Sequence, residues 1–517
     1  MLSRMRRTGE PSRPGRKEKS SGSAPRRADT VGRRLVALGM ACACCVTAWP
    51  MHAQDQREAL ATRRFESGAA FAREGDYEQA LADFTAVVDL YPTSGVADNA
   101  LLEIARYDLG LGEVDRAVAE AERIINDPGY SQGDAALGAY IVLGRAMMMV
   151  ARVDEERRDA LANFQRGLRL YPDNSAVPEV MYHVAAAHQR LDQLDAAFET
   201  YQRVAMEYPQ DVWAVRARLG AGAMRVIRGD PIGAMEEFQR IREEFPERPE
   251  AAEALARTTI LYRLYVRSAG AMYTVSPAGR GARINRDVIG LVVDAAGNVV
   301  FATDRGVGSF TAGLRMPTPN RPRGLALDRF GNAAVIDRGR IHNARGPVLV
   351  PTFPQRGERR PLTEMDAAVE LSTGEWLVAD RDREAVLRVR NSAYAGTYAA
   401  VRAERLAVDA EDRVAALDND ERVFLYSDAQ RIAEVPMRTS GYRIDNPVDV
   451  AFDVLGHLYV LDREGIYVFG RDLRPLRAFP GASSARVPFN RATALAIDPY
   501  GRLFVADSRD DRIYMLQ

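Results

Sequence analysis

Six aspartates recur through the second half of the chain, Asp304, Asp337, Asp380, Asp418, Asp462 and Asp507, each closing an apolar segment. Set on one rim, they would form an acidic ring that attracts a cation. Alternatively, each caps its own loop by accepting backbone N–H groups, as Asp does in turns. Recurrence in every unit favours capping, because a catalytic centre breaks the symmetry of a repeat. Four arginines follow such positions, Arg305, Arg338, Arg381 and Arg463. Guanidinium groups gathered on one face read carboxylates or phosphates bidentately, or else pair with the neighbouring aspartates. These ten residues are the candidate rim. Other reactive types are sparse. Of five histidines, His183 and His188 are five apart and miss the i, i+4 spacing of a helical metal pair. His342 and His457 stand alone. All three cysteines, Cys42, Cys44 and Cys45, lie within four positions, so the body has no disulfide staple, cysteine nucleophile or Cys-ligated zinc. With no Gly-rich phosphate loop, nucleophile elbow or Ser-His-Asp arrangement, the sequence predicts no catalytic residue, no metal site and no cofactor.

The chain that must position these residues has 517 residues, 47% hydrophobic and 27% charged, with 40 Gly and 26 Pro. That length implies several domains, and the composition excludes collagen-like, low-complexity and multi-span membrane classes. The near-neutral net charge of −1 hides an asymmetry. Residues 1–34 carry 11 basic and 3 acidic side chains, whereas the rest carries 59 basic and 68 acidic. A basic arm, the apolar run Leu35–Val46 and a small residue at Ala53 fit a secretory signal over 1–53. Lipidation at Cys42 or Cys44 is an alternative that lacks the expected Leu before the cysteine. Arg33-Arg34 is a partial twin-arginine signal, and an uncleaved anchor would be short against the roughly 20 residues of a span. All of these variants place the body outside the cytoplasm, at the periplasm or the outer-membrane periphery. Membrane contact is expected only through that signal, an anchor or a lipid.

From 55 to 267 the apolar period is helical. Gly75-Asp76-Tyr77-Glu78-Gln79-Ala80 opens a helix that closes at Leu90-Tyr91-Pro92, and Tyr171-Pro172, Tyr208-Pro209 and Phe245-Pro246 repeat the close. A small residue recurs at Ala80, Ala117, Ala160, Ala197 and Ala234, spaced by 37, 43, 37 and 37. Five helix-turn-helix units follow, the third longer by about six residues, with a capping helix near 250–266. This stretch resembles a tetratricopeptide repeat (TPR) array. Its 75–105 segment is similar to the envelope subfamily of YbgF-type Tol–Pal coordinators and outer-membrane assembly lipoproteins. On its helices Tyr77, Tyr107, Tyr140, Met147 to Met149, Tyr182 and Trp213 are candidates to line a peptide groove, although aromatic stripes at helical spacing more often form core.

From 272 to 517 the period becomes two. Six segments share one grammar: an apolar strand ending in Asp, a turn with Gly, a second strand, and a closing Asp. The fourth has Asp412 in place of Gly, a residue that tolerates the same left-handed backbone. The third, Val369 to Asp380, reads as slipped by one residue. Six such units fit a closed six-bladed β-propeller; a solenoid of sheets is the runner-up. The last unit, 494–517, resembles an NHL repeat and ends one strand short, so residues 272–275 are expected to close the ring.

The expected fold is therefore multidomain α + β, an all-α TPR solenoid followed by an all-β six-bladed propeller. The resemblances imply a non-enzymatic, exported scaffold of the cell envelope that binds protein or cell-wall partners, including peptidoglycan-associated machinery. The net acidic body disfavours nucleic acid. The rivals are a propeller enzyme of lactonase or lyase type with a divalent metal in the channel, and an extracytoplasmic ligand sensor.

Overall fold

The computed structural model describes 35–266, 284, 287–310, 322–343, 348–355, 357–439, 441–463, 465–480, 491–509 and 511–516, with side chains from 54 onward. The basic arm 1–34 and the strand expected at 272–275 lie outside the described residues. Among those described, eleven α-helices precede the first strand: α1 (Leu35–Glu74), α2 (Tyr77–Leu90), α3 (Ala97–Leu111), α4 (Val114–Asn126), α5 (Ala135–Val150), α6 (Asp154–Leu170), α7 (Val177–Arg190), α8 (Leu194–Glu207), α9 (Val212–Ile227), α10 (Pro231–Glu244) and α11 (Pro249–Leu261). Among the described residues, no helix is long and apolar enough to cross a membrane.

The punctuation falls where the residues require it. Tyr91, Tyr171, Tyr208 and Phe245 are the C-caps of α2, α6, α8 and α10, each returning its N–H to the last helical turn before proline ends the run. The recurring alanines of α2, α4, α6, α8 and α10 are all buried. Opposite them, small residues of the first helices receive aromatic rings of the second. A Cβ on Gly68 would lie 2.9 Å from Phe84, on Gly144 2.4 Å from Phe164, and on Gly222 2.3 Å from Phe238. These glycines let the two helices of a unit approach closely. The extra residues of the third unit lengthen α6 to 17 residues and the connection 127–134. Successive first helices touch, α3 with α5, α5 with α7, α7 with α9 and α9 with α11, whereas the second helices do not form such a row. The array therefore bends with its first helices on the inside.

Six sheets follow: blade 1 (Val288–Ser309), blade 2 (Gly324–Leu349), blade 3 (Met365–Ala399), blade 4 (Ala403–Glu434), blade 5 (Pro447–Pro480) and blade 6 (Ala492–Leu516). Blades 1 and 6 have three described strands; a hairpin, Thr352–Gln355 with Glu358–Pro361, adds to the outer edge of blade 3. The innermost strands of all six surround a channel of about 170 Å³, and those of blades 1 and 6 are neighbours, so the ring is closed. Near that junction Ile284 donates its N–H to the Asp511 carbonyl at 2.8 Å.

Each inner hairpin turns on a residue with positive φ: Gly297, Gly331, Gly374, Asp412, Gly456 and Gly501 lie between 61° and 82°. Asp412 thus takes the glycine role without a change of backbone. In five blades an aspartate at the foot of the inner strand organises this turn. One oxygen accepts the N–H four residues on, and the other meets that residue's side chain. The pairs are Asn298–Asp294 (2.8 Å), Asn332–Asp328 (3.0 Å), Arg413–Asp409 (2.6 Å), His457–Asp453 (2.8 Å) and Arg502–Asp498 (2.5 Å). Blade 3 corrects the sequence reading of a slip. Leu371 bonds to Glu375 and Gly374 through the same backbone pattern, so it occupies the aspartate position and the register is unchanged. An acid, Glu375, stands where the other blades place the donor.

The helical array packs on this foot of the propeller through the turns that join first to second helices. Glu375, with its side chain fully buried, accepts Arg388 at 2.7 Å from its own blade and both Nη atoms of Arg152, between α5 and α6, at 3.2 and 3.3 Å. Arg190 at the end of α7 reaches Asp412 (3.2 Å) and Ser372 (3.0 Å), and Gln189 reaches Glu411 (2.9 Å). From the propeller, Arg329 donates to the Gly110 carbonyl at the C-terminus of α3 (3.0 Å). At the last unit the seam turns apolar. Ile260, Leu261 and Leu264 join one core cluster with Leu455, Tyr459 and Leu503, and Tyr265 meets His457 at 3.1 Å. The capping helix thus hides its apolar face on the propeller instead of becoming polar outside. Arg64–Gln517 form one compact unit.

One titratable pair inside the array stands apart. Asp108 of α3 is fully buried and its carboxylate lies 3.0 Å from Arg116 of α4. Burial raises its pKa while Arg116 opposes the shift. Glu120 of α4 faces it, near Arg123, and is pushed up to about 7, first by burial and then by the Asp108 charge. Each carboxyl charge raises the cost of ionising the other.

Three outcomes are expected in thermal unfolding of the full chain. Gly222→Ala should destabilise by about 1–3 kcal/mol despite better helix propensity, because the ring of Phe238 has no room to retreat. Glu375→Ala should cost roughly 2–3 kcal/mol, less than loss of a fully buried partner because Arg152 and Arg388 keep water. For Glu120 the folded pKa exceeds the unfolded one, so its stabilising contribution is present below pH 4.5 and lost as pH rises through about 7. Glu120→Gln should therefore gain Tm on the wild type across that interval; a pH-independent offset would show that the Glu120 pKa is not raised.

Candidate functional site

Strand pairing places the candidate rim. Asp380 pairs with Met365, Asp418 with Ala403, Asp462 with Pro447 and Asp507 with Ala492, one register at the entry end of each inner strand. In blade 1 that position belongs to Thr303, paired with Val288. Asp304 is one residue beyond it, which corrects the sixfold equivalence and explains its irregular spacing. Its side chain is 70% exposed, with Arg305 at 4.0 Å. Asp380, Asp418, Asp462 and Asp507 are buried and accept backbone N–H groups: Asp418 from Asp420 (3.0 Å) and Arg422 (2.8 Å), Asp462 from Asp445 and Asn446 (both 2.9 Å), Asp507 from Arg491 (2.9 Å), and Asp380 from Arg383 (3.0 Å). These carboxylates fasten loops. Asp337 is half-buried beside His342, and Arg463 is exposed.

The channel opens at this end into a funnel of about 650 Å³ lined by Ile289, Asp304, Pro322, Arg323, Arg338, Asp366, Arg381, Glu404 and Arg405. Three candidate residues, Asp304, Arg338 and Arg381, thus meet at the mouth, while Asp380, Asp418, Asp462 and Asp507 serve the loops behind it. Arg381 holds Asp366 bidentately, Arg323 reaches Glu364 at 3.0 Å, and Arg405 lies 3.9 Å from Asp449 in the channel wall. Among the described residues, no group of three or more His, Cys, Asp or Glu is placed to hold a metal. At the mouth Asp366 is engaged by Arg381, and Asp304 lies 4.0 Å from Arg305. Arg323, Asp366, Glu404 and Arg405 were missed because they begin inner strands and follow no repeat signature.

The second surface is the inside of the helical array. Tyr182 of α7 and Trp213 of α9 pack with ring centroids 4.9 Å apart at a tilt of 43°, and both remain partly exposed. Arg216 lies over the Trp213 ring at 4.7 Å, with Glu250 of α11 at 3.7 Å. His183 packs against Phe164, Tyr182 and Trp213. Burial above all, reinforced by Arg145, Arg106 and Arg216, holds it down at about 3, so the ring is neutral. Burial also raises the Tyr182 phenol. The other groove candidates part company. Tyr140 is core, packed between α5 and α6 against Tyr171. Tyr77 opens a second helix and pairs with Tyr107 at 5.7 Å. Met148 and Met149 reach a cavity at the seam with the propeller. Near Tyr182 the sequence reading overlooked Arg106, Arg145, Glu179 and Arg216, which are too common in type to stand out.

The tetratricopeptide repeat family matches residues 64–94 and 179–211. Among solved structures, a gluconolactonase of Xanthomonas campestris is 15% identical with a TM-score of 0.34, covering 48% of this chain and 98% of that one. A thermophilic TPR protein of Thermus thermophilus is 17% identical with a TM-score of 0.33, covering 39% and 98%. YrrB, described as a TPR protein with an unusual peptide-binding site, is 20% identical with a TM-score of 0.24, covering 35% and 81%. No curated protein matches the chain. The chain is a tetratricopeptide repeat array followed by a six-bladed β-propeller.

Proposed function

We propose that this protein is an exported scaffold of the bacterial cell envelope that holds protein partners on the inside of its helical array. The observation that carries the reading is the aromatic and arginine surface around Tyr182 and Trp213, left partly exposed on a row of closely packed helices. Partly exposed aromatics beside arginine are the residue types that anchor protein interfaces. The seam supports a scaffold role as well. Paired charges at the third and fourth units and a shared apolar core at the last fix the array against the foot of the propeller. A partner on the inner face is thereby set at a fixed distance from whatever meets the mouth. Support for export is the basic arm and the apolar run before Ala53.

The test is a C-terminally tagged full chain produced in a bacterium with a double envelope, carrying a photo-crosslinker in place of Tyr182. The expected result is a product cleaved near Ala53 in the periplasmic or outer-membrane fraction, with crosslinks that map to envelope proteins. A chain lacking 1–53 should stay in the cytosol. Intact protein in the cytosol would overturn the export reading, and an uncrosslinked Tyr182 position in exported protein would overturn the partner surface.

A further inference from the structure

Where the third and fourth helical units meet blades 3 and 4, a cavity of about 170 Å³ opens along the seam. Four guanidinium groups stand in its wall, those of Arg152, Arg157, Arg190 and Arg388. The acids around them are unevenly shared. Arg190 holds Asp412 at 3.2 Å, and Arg157 holds both Asp428 and Asp154 at 2.8 Å, two acids that remain exposed to water. Glu375, by contrast, serves three arginines: Arg388 at 2.7 Å, Arg152 at 3.2 Å and Arg390 at 3.8 Å. One negative charge against three leaves two positive charges uncompensated on the Arg388 side.

Donors are left over there as well. Arg388 spends its Nε on Glu375, and among the described residues neither of its Nη atoms makes a hydrogen bond. Tyr398 lines the same cavity, is only 5% exposed, and its hydroxyl has no hydrogen-bond partner among the described residues. The Ala429 N–H acts on that oxygen but can only donate, so the hydroxyl proton still lacks an acceptor. The backbone sets the ring in this place. Val386 pairs with Ala399 and Leu387 with Thr397, which makes Tyr398 the extra residue of a β-bulge, a device that re-aims a side chain. A buried hydroxyl without an acceptor is costly until something supplies one. Water would accept the proton and leave the excess charge as it was.

We infer that this cavity receives a phosphate group, free or carried as a small monoester. The Arg388 fork takes two of its oxygens and the Tyr398 hydroxyl donates to a third. A tetrahedral dianion offers acceptors in several directions and matches the charge excess, whereas a carboxylate offers two oxygens and one charge. The volume is close to that of a cavity that admits a six-carbon ring, ~150 Å³, so a substituent of a few atoms also fits. Met148, Met149 and Leu371 give such a substituent an apolar wall. Because both halves of the chain wall the cavity, the bound group ties the array to the propeller. The site is independent of the partner surface on the inner face.

The full chain, in a chloride buffer at pH 8 and constant ionic strength, would be titrated calorimetrically with sodium phosphate, glycerol 1-phosphate and acetate. One site per chain is expected, with acetate at least about tenfold weaker than the better phosphate ligand. Tighter binding of inorganic phosphate would identify the free ion, and tighter binding of glycerol phosphate an ester. Arg388→Gln should abolish binding. Tyr398→Phe, which deletes only the hydroxyl, should weaken it about tenfold or more while Tm of the free protein holds or rises. Arg474→Gln, on an exposed arginine of blade 5, should leave binding unchanged. Failure of both phosphate ligands to bind, acetate binding as tightly, an undiminished affinity in Tyr398→Phe or a lower Tm for that variant would overturn the site.

Discussion

The arrangement of the molecule depends on how a carboxylate is satisfied at the foot of each propeller blade. A tight hairpin leaves two or three N–H groups that the sheet does not use, and an aspartate at the end of the inner strand takes them. Its second oxygen then needs a donor, and five blades supply one from within the same turn. In blade 3 the aspartate is lost to Leu371 and the donor position is occupied by Glu375, so a fully buried acid leans on Arg388 and, at 3.8 Å, Arg390 of its own blade. Arg152 of the helical array completes its shell. The irregular blade is thus one of those that fix the array in place, and its irregularity is what leaves a buried acid for Arg152 to reach.

The rest of the seam follows the same logic of groups left over by repeats. The C-terminus of α3 exposes carbonyls with no intrahelical donor, and Arg329 of blade 2 takes Gly110. The capping helix has an apolar face with no following unit, and the inner hairpins of blades 5 and 6 present Leu455, Tyr459 and Leu503 to it. Gly501 matters here because a Cβ would fall 2.4 Å from Ile260; the glycine that serves the turn by its positive φ also admits the helix. A solenoid end and a propeller foot, each unsatisfied alone, are satisfied by each other.

Periodicity made most of this legible before any coordinates. The Tyr/Phe-Pro closes mark helix ends because proline cannot continue a helix, and the Asp–turn–Gly grammar marks hairpins because few residues accept positive φ. Exact register was less legible. Asp304 imitates the closing aspartate although Thr303 holds its place, since a hydroxyl can bond the loop as a carboxylate does, here with Arg305 N–H and the Gly306 carbonyl. Ser372 imitates the first aspartate although Leu371 holds that position. The candidate surface of the array was legible in half. Tyr182 and Trp213 stand out by type, yet the same criterion selected Tyr140, which is core. The arginines around them carry no signal in a chain with 70 basic residues.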